Sequence, residues 1–257
     1  MINFSHEQLQ RYKRNILLKG MGKKGQERLL ESKVIIIGAG GLGSSAIYYL
    51  ASAGVGTIGI VDSDIVDLTN LQRQIIHSTD DLNTTKVESA KSKINKLNPD
   101  VNVVVYNERA TKSNICDFIT NYRFIIDATD NFSSKYLLND ACYFENKPYS
   151  HAGVLGFNGQ TMTVIPGTTS CLRCLLPKIP SPDAASGSDK LGILGAVAGM
   201  MGAIQASEAI KYLTGMGKLL ANRLLVIDAM EMTFRSLTIK KNTKCPLCGS
   251  NPTITGL

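Results

Sequence analysis

Apolar residues along this chain gather in short solid runs separated by stretches with helical spacing. The runs at 34–37, 57–62, 101–106 and 124–127 have the length and the Val/Ile content of strands buried on both faces. Their alternation with amphipathic stretches predicts βαβ units and a mostly parallel sheet. Further strands are predicted at 161–165, 224–228 and 236–239. Near the start, Ser5-x-x-Gln8 matches a capping box and opens a first helix that carries Arg11 and Arg14 on one face. Residues 192–212 mix small residues with Ile, Leu, Val and Met and include Gly195-x-x-x-Gly199. They predict a buried helix that neighbouring backbones approach closely, with a share in a dimer interface as an addition. Pro, Ser, Gly and Asp crowd residues 179–189, which predicts a surface loop and not a domain boundary.

Composition narrows the class. A chain of 257 residues, 44% hydrophobic and 19% charged, is long enough to bury the core of a large α/β domain. The polar opening MINFSHEQLQ lacks the apolar centre of a secretory signal. The longest uncharged run, 191–207, is shorter than the roughly 20 apolar residues of a membrane span. A cytoplasmic protein without a membrane partner is the expectation. There the six cysteines read as metal ligands, thiols or buried filler before disulfides. The net charge of +7 comes partly from Lys19, Lys23, Lys24 and from Lys240, Lys241, Lys244. These read as a solvated surface first and as an attractor of acidic partners second.

The strand at 34–37 runs into Gly38-Ala39-Gly40-Gly41-Leu42-Gly43 and then into a helical pattern, the strand-to-helix setting that G-x-G-x-x-G needs. Glycine allows the tight turn and lets backbone N–H groups approach phosphate, while the helix N-terminus supplies unpaired donors. About twenty residues on, the second strand ends in Asp62-Ser63-Asp64, where an acid can bind a ribose hydroxyl, Asp62 first. Loop and acid suit an NAD-dependent dehydrogenase and an ATP enzyme equally.

Residues beyond Asp64 separate these two classes. Asn70, Arg73 and Lys86 bring an amide, a guanidinium fork and a point charge, which a polyphosphate can use and hydride transfer has no evident need for. The fourth strand ends in Asp127-Ala128-Thr129-Asp130-Asn131, at the sheet edge where open α/β folds bind ligands. Asp130 there can hold Mg2+ against phosphates.

With these motifs the chain resembles the bacterial relatives of ubiquitin-activating enzymes that adenylylate small sulfur-carrier proteins for molybdopterin or thiamine synthesis. The resemblance rests on RYKRNI at 11–16, GAGGLGS at 38–44, ASAGVG at 51–56, VDSD, NLQRQ, TTKVESA, DATDN, the cysteine pairs and QASEAIKYLTG. It implies a Rossmann-like mixed sheet with helices on both faces and a homodimer that binds Mg-ATP. The Gly-Gly carboxylate of a ubiquitin-like carrier would attack the α-phosphate. Gly38, Gly40, Gly41, Gly43, Asp62, Asp64 and Asn131 would line the nucleotide site. Asn70, Arg73 and Lys86 would grip the phosphates, Asp130 would bind magnesium, and Arg14 would reach in from the other subunit. The implied organisation is one adenylation domain over 1–257, with a nucleotide-binding half at 34–150, a zinc-bearing, carrier-binding half at 151–257 and a crossover loop at 179–189. No general base is needed, because the attacking carboxylate is already ionised at neutral pH. His6, His77 and His151 are accordingly read as structural.

Cys171-x-x-Cys174 and Cys245-x-x-Cys248 each have the spacing with which a tight turn chelates zinc, and two pairs make four ligands. With 70 residues between the pairs, the ion would clamp distant segments of one fold. Cys116 and Cys142 sit in apolar helical settings and read as filler. Many members of the resembled family carry a cysteine in the loop before the glycine-rich helix, where this chain has Ser188. That departure favours an enzyme that stops at the acyl-adenylate. The sequence ends at Leu257, soon after the last cysteine pair, so sulfur is expected from a separate sulfurtransferase or cysteine desulfurase. Three rivals remain: an NAD oxidoreductase, a non-catalytic carrier-binding subunit, and an RNA-modifying relative. The cysteine pairs count against the last, and no nucleic-acid partner is expected.

Overall fold

The computed structural model describes residues 4–180 and 192–257, so Ser188 and most of the 179–189 loop lie outside the described residues. The first four apolar runs become β1 (Lys33–Ile37), β2 (Thr57–Val61), β3 (Asn102–Tyr106) and β4 (Phe124–Asp127). With β5 (Tyr149–Leu155) they form a parallel block in the order β3-β2-β1-β4-β5. The sheet continues antiparallel through β6 (Asn158–Val164), β7 (Arg223–Asp228) and β8 (Thr233–Thr238).

β5 has no counterpart among the predicted strands. Ser150, His151 and Gly153 break the apolar pattern of its sequence, yet its first four residues are buried between β4 and β6. Several of its polar groups find partners outside the strand: His151 Nδ1 bonds Asp127, Thr161 Oγ1 donates to His151 O, and Gln205 Nε2 donates to Ser150 O. Strand-local patterning carries no trace of those partners. β8 was predicted at 236–239 and begins earlier because its register with β7 starts at Asp228↔Thr233.

Period-two alternation in β1 sorts its side chains to two faces. Val34 and Ile36 join Ile47 and Leu50 of a helix α4 (Gly41–Ser52) and Ile94 of α5 (Lys86–Leu97). Ile35 and Ile37 join Phe118 of α6 (Ile115–Thr120) and Leu138 of α7 (Phe132–Phe144) on the other face. The short α8 (Leu172–Leu175) carries Cys174 and is preceded by Cys171 at its N-cap, and α9 (Gly195–Thr214) is the glycine-rich helix. A Cβ on Gly202 would stand 2.1 Å from Leu42 O, so α4 and α9 can pack this closely only with glycine there.

The capping box at Ser5 is present, with Gln8 N and Ser5 Oγ 3.1 Å apart and the reciprocal bond closed by Gln8. The single first helix expected is instead two, α1 (His6–Arg11) and α2 (Lys13–Ile16), broken at Tyr12. Tyr12 is wholly buried and accepts a 2.9 Å hydrogen bond from Asn98, so its anchoring overrides helical continuity. A third helix, α3 (Gly22–Leu30), precedes β1. Among the described residues no helix is long and apolar enough to cross a membrane.

Candidate functional site

The sheet order reverses between β1 and β4, and the glycine loop leaves β1 at this point, where open α/β sheets form a ligand crevice. Gly38 holds φ +105, and a Cβ there would lie 2.6 Å from Ala128 O. A Cβ on Gly43 would lie 2.1 Å from Gly38 O. Both glycines are therefore required by contact of the loop with itself and with the 127–131 turn. Gly40 caps α4 without a side-chain cap, and Gly41 begins the helix, leaving backbone donors at its start.

Asp62 clasps this loop. One carboxylate oxygen accepts from Ala39 N at 2.7 Å and the other from Asp64 N at 2.9 Å. From the opposite side His77 Nε2 bonds Ala39 O at 3.0 Å while its Nδ1 bonds Ser89 Oγ at 2.8 Å. Burial pushes the His77 imidazole below its ordinary range, which suits the neutral tautomer that donates to Ala39 O.

Beyond Asp62 the chain makes a 3-10 turn at Leu68–Asn70, capped by Asp67, whose carboxylate accepts from Thr69 N at 2.8 Å. Asn70 O receives Arg73 N and Gln74 N, which sets Arg73 one turn on from Asn70. Gly41 and Gly195 bring α4 and α9 onto Arg73: a Cβ on Gly41 would lie 3.6 Å from Arg73 Cγ, and one on Gly195 2.9 Å from Arg73 Cα. A bridge between Ile65 and Thr85 then returns the chain, so that Lys86 at the head of α5 meets Asp64 at 2.7 Å. The Lys86 side chain is 6% exposed and the Asp64 side chain 66%, a buried ammonium whose carboxylate partner faces solvent.

The 127–131 turn forms the other wall. Asp130 is exposed, with one oxygen 3.2 Å from Asn131 Nδ2, and Asn131 caps α7 by accepting from Ser134 N at 2.9 Å. Sequence reasoning passed over the buried cluster behind them. Asp127 is fully buried, paired across the β4–β5 register with His151 at 2.8 Å and 3.4 Å from Lys135 Nζ. Burial acts to raise the Asp127 carboxyl, but the Lys135 charge and the His151 bond outweigh it and hold the group at about 2. Burial lowers the His151 imidazole. No periodic signal marks this cluster, because Asp127 and His151 become neighbours only through strand pairing.

The glycine loop, Asp62, Asp64, Asn70, Arg73, Lys86, Asp130 and Asn131 thus surround one end of the sheet. Arg14 does not join them: it lies exposed on α2, and its neighbour Asn15 lines a groove with Tyr49 and Ser52, at the far end of α4 from the glycine loop.

The four cysteines of the two pairs converge as the spacing suggested. Their sulfurs lie within 4.8 Å of one another, with Cys171–Cys245 at 3.7 Å, Cys171–Cys248 at 3.5 Å and Cys174–Cys248 at 3.3 Å. A tetrahedral ion with zinc–sulfur bonds near 2.3 Å sets its sulfurs about 3.8 Å apart, close to these separations. Asn242 N and Cys248 N each approach a cysteine sulfur at 3.5 Å, the donors a thiolate cluster needs. Between the first pair, Arg173 forks onto Asp140 of α7 with two 2.7 Å bonds and lies over the Tyr136 ring, bolting the cluster to the helix that Asn131 caps. Of the remaining cysteines, Cys142 is buried in the core as expected of filler, while Cys116 is half-buried.

Glycine loop, switch-point crevice and four-cysteine cluster on this mixed sheet are the parts expected of an adenylating enzyme of the E1-like fold. Comparison with known proteins agrees. Residues 12–247 match the model of the ThiF family, and the chain belongs to that family. It is 46% identical over 94% of its length to a SAMP-activating enzyme E1 of Haloferax volcanii, covering 89% of that protein. It is 39% identical over 98% of its length to a sulfur carrier protein adenylyltransferase of Thermus thermophilus, covering 95% of it. Among solved structures, Escherichia coli MccB with AMPCPP and MccA superposes with a TM-score of 0.81 at 26% identity, over 93% of this chain and 74% of that one. The chain is an adenylyltransferase.

Proposed function

We propose that this enzyme adenylylates the C-terminal Gly-Gly carboxylate of a small ubiquitin-like sulfur-carrier protein, for sulfur transfer in molybdopterin or thiamine biosynthesis. A carboxylate oxygen forms a bond to the α-phosphorus of ATP, the bond from that phosphorus to the bridging oxygen breaks, and pyrophosphate leaves. The products are a carrier acyl-adenylate and pyrophosphate. The observation that carries this reading is the buried Lys86 ammonium held on Asp64, whose backbone N–H is bound by the same Asp62 that clasps the glycine loop, while Arg73 packs against Gly41 of that loop. Cations so placed can offset repulsion between an anionic nucleophile and a triphosphate.

In this reading Asn70, Arg73 and Lys86 orient the phosphates, and Asp62 and Asp64 face the nucleoside side of the loop. Asp130 and Asn131 suit a magnesium ion, since Asp130 is exposed and only one of its oxygens is engaged by Asn131 among the described residues. Such an ion supplies charge neutralisation at the phosphates. The cysteine cluster suits a structural zinc. Arg14 belongs to the site of a second subunit in a homodimer, which accords with its distance from its own chain's loop. The whole chain acts as one adenylation domain in the cytoplasm, with the nucleotide half at 34–150, the zinc- and carrier-binding half at 151–257, and sulfur supplied by a separate sulfurtransferase or cysteine desulfurase. With Ser188 in the crossover loop, the reaction stops at the acyl-adenylate. The name of the Thermus relative, a sulfur carrier protein adenylyltransferase, supports the carrier as substrate.

The test is ATP–pyrophosphate exchange with a panel of carriers ending in Gly-Gly. Exchange that depends on one of them and on its intact C-terminus is expected; no exchange with any carrier overturns the reading.

A further inference from the structure

The turn that presents Asp130 is pinned at both ends by different means. On the far side, Asn131 caps α7 through Ser134 N at 2.9 Å, and its carbonyl receives Lys135 N at 3.1 Å. On the near side, every polar group of Thr129 is held by the buried charge cluster. Asp127 Oδ1 accepts from Thr129 N at 3.1 Å and from Thr129 Oγ1 at 2.6 Å, while Lys135 Nζ donates to Thr129 O at 2.7 Å. That last carbonyl belongs to the peptide unit that links Thr129 to Asp130, so Lys135 fixes the plane from which Asp130 departs. Lys135 is tied in turn to Ala152 O at 2.6 Å and to both Asp127 oxygens at 3.4 Å, and Asp127 to His151 at 2.8 Å. Asp130 is left as the exposed residue between two anchored neighbours, in a turn whose Ala128 O already touches the glycine loop.

A buried ion pair is a poor way to gain stability, because apolar side chains of similar size would serve as well. Its geometric effect is specific. We propose that Lys135 and Asp127, steadied by His151, are positioning residues for Asp130 that set where its carboxylate meets the metal–phosphate assembly, an inference that rests on the reading of Asp130 as a magnesium ligand.

The experiment measures the affinity of the full-length protein for ATP by calorimetry at rising Mg2+, without carrier. Wild type binds ATP more tightly as Mg2+ is added, and Asp130→Asn loses that gain. Lys135→Met is expected to raise the Mg2+ needed for half the gain by roughly tenfold, the scale on which residues supporting a metal ligand act. ATP affinity without Mg2+ should stay unchanged, and Lys135→Arg should restore most of the Mg2+ response. Combined with Asp130→Asn, Lys135→Met should cause no further loss, because both act through one ligand. If Lys135→Met does not fold, Thr129→Val, which removes the hydroxyl that donates to Asp127 Oδ1 and accepts from Lys135 Nζ but keeps the backbone bonds of Thr129, should show a smaller shift in the same direction and Thr129→Ser none. A folded Lys135→Met with a normal Mg2+ response, or losses that add to those of Asp130→Asn, overturns the positioning role while the metal assignment stands. An Asp130→Asn protein with a normal Mg2+ response overturns the metal assignment and this inference together.

Discussion

The Lys86 ammonium lies 2.7 Å from the Asp64 carboxylate, buried itself while its partner faces solvent. Among the described residues Asp64 is the one carboxylate paired with this charge, which leaves the ammonium able to bind phosphate oxygens as well. Lys86→Met keeps the aliphatic stem and removes the charge, so the fold should persist. Carrier-dependent ATP–pyrophosphate exchange should fall roughly 10²–10³-fold, the usual loss when one group that stabilises transition-state charge is deleted. Circular dichroism on the same preparation checks the fold.

Arg73 stands where the starts of α4 and α9 meet, and among the described residues its guanidinium makes one hydrogen bond, of 3.2 Å to Thr69 O. Because that bond is local, Arg73→Ala should leave thermal stability close to wild type and abolish exchange. Exchange at the wild-type rate would remove Arg73 from the phosphate site.

The cysteine cluster joins α8 to the segment after β8, residues 74 and 77 positions apart in sequence. Replacing Cys174 by Ser, or treating the protein with a strong chelator, should release that clamp at a cost on the order of 4 kcal/mol. The measurement is a fall in melting temperature, accompanied by loss of one bound metal per chain in elemental analysis.

Burial holds the imidazoles of both His77 and His151 below the ordinary value of 6.5. As pH falls through 6.5, the unfolded chain takes up protons that the folded chain does not, so unfolding is favoured. Stability from these two groups is therefore complete above that value and lost as pH drops below it toward their folded values. Melting temperature should decline between pH ~7 and ~5, and His77→Gln should flatten part of that decline. A slope unchanged in His77→Gln would mean that His77 is not held neutral.

Much of the fold and of the site is legible in the sequence, and the misses share a cause. β1 to β4 stand out because each is a closed apolar run whose pattern fits within five residues. The glycine loop stands out because its spacing has one steric explanation, seen at Gly38 and Gly43. β5 does not, because Ser150 and His151 are polar residues in a buried strand and their partners Gln205 and Asp127 are far away in sequence. The break at Tyr12 is hidden for the same reason, since Asn98 holds it from the end of α5.

What the sequence determined alone is therefore the set of parts: strands, the phosphate-type loop, the acids at strand ends and two chelating turns. Each is written in spacings of a few residues, where the strand and helix repeats act directly. Only the tertiary structure decided which parts meet. Lys86 on Asp64, His151 on Asp127 and Cys171 beside Cys248 all depend on strand order, and the order of the central strands follows from burying both of their faces at once, while β8 at the sheet edge stays exposed.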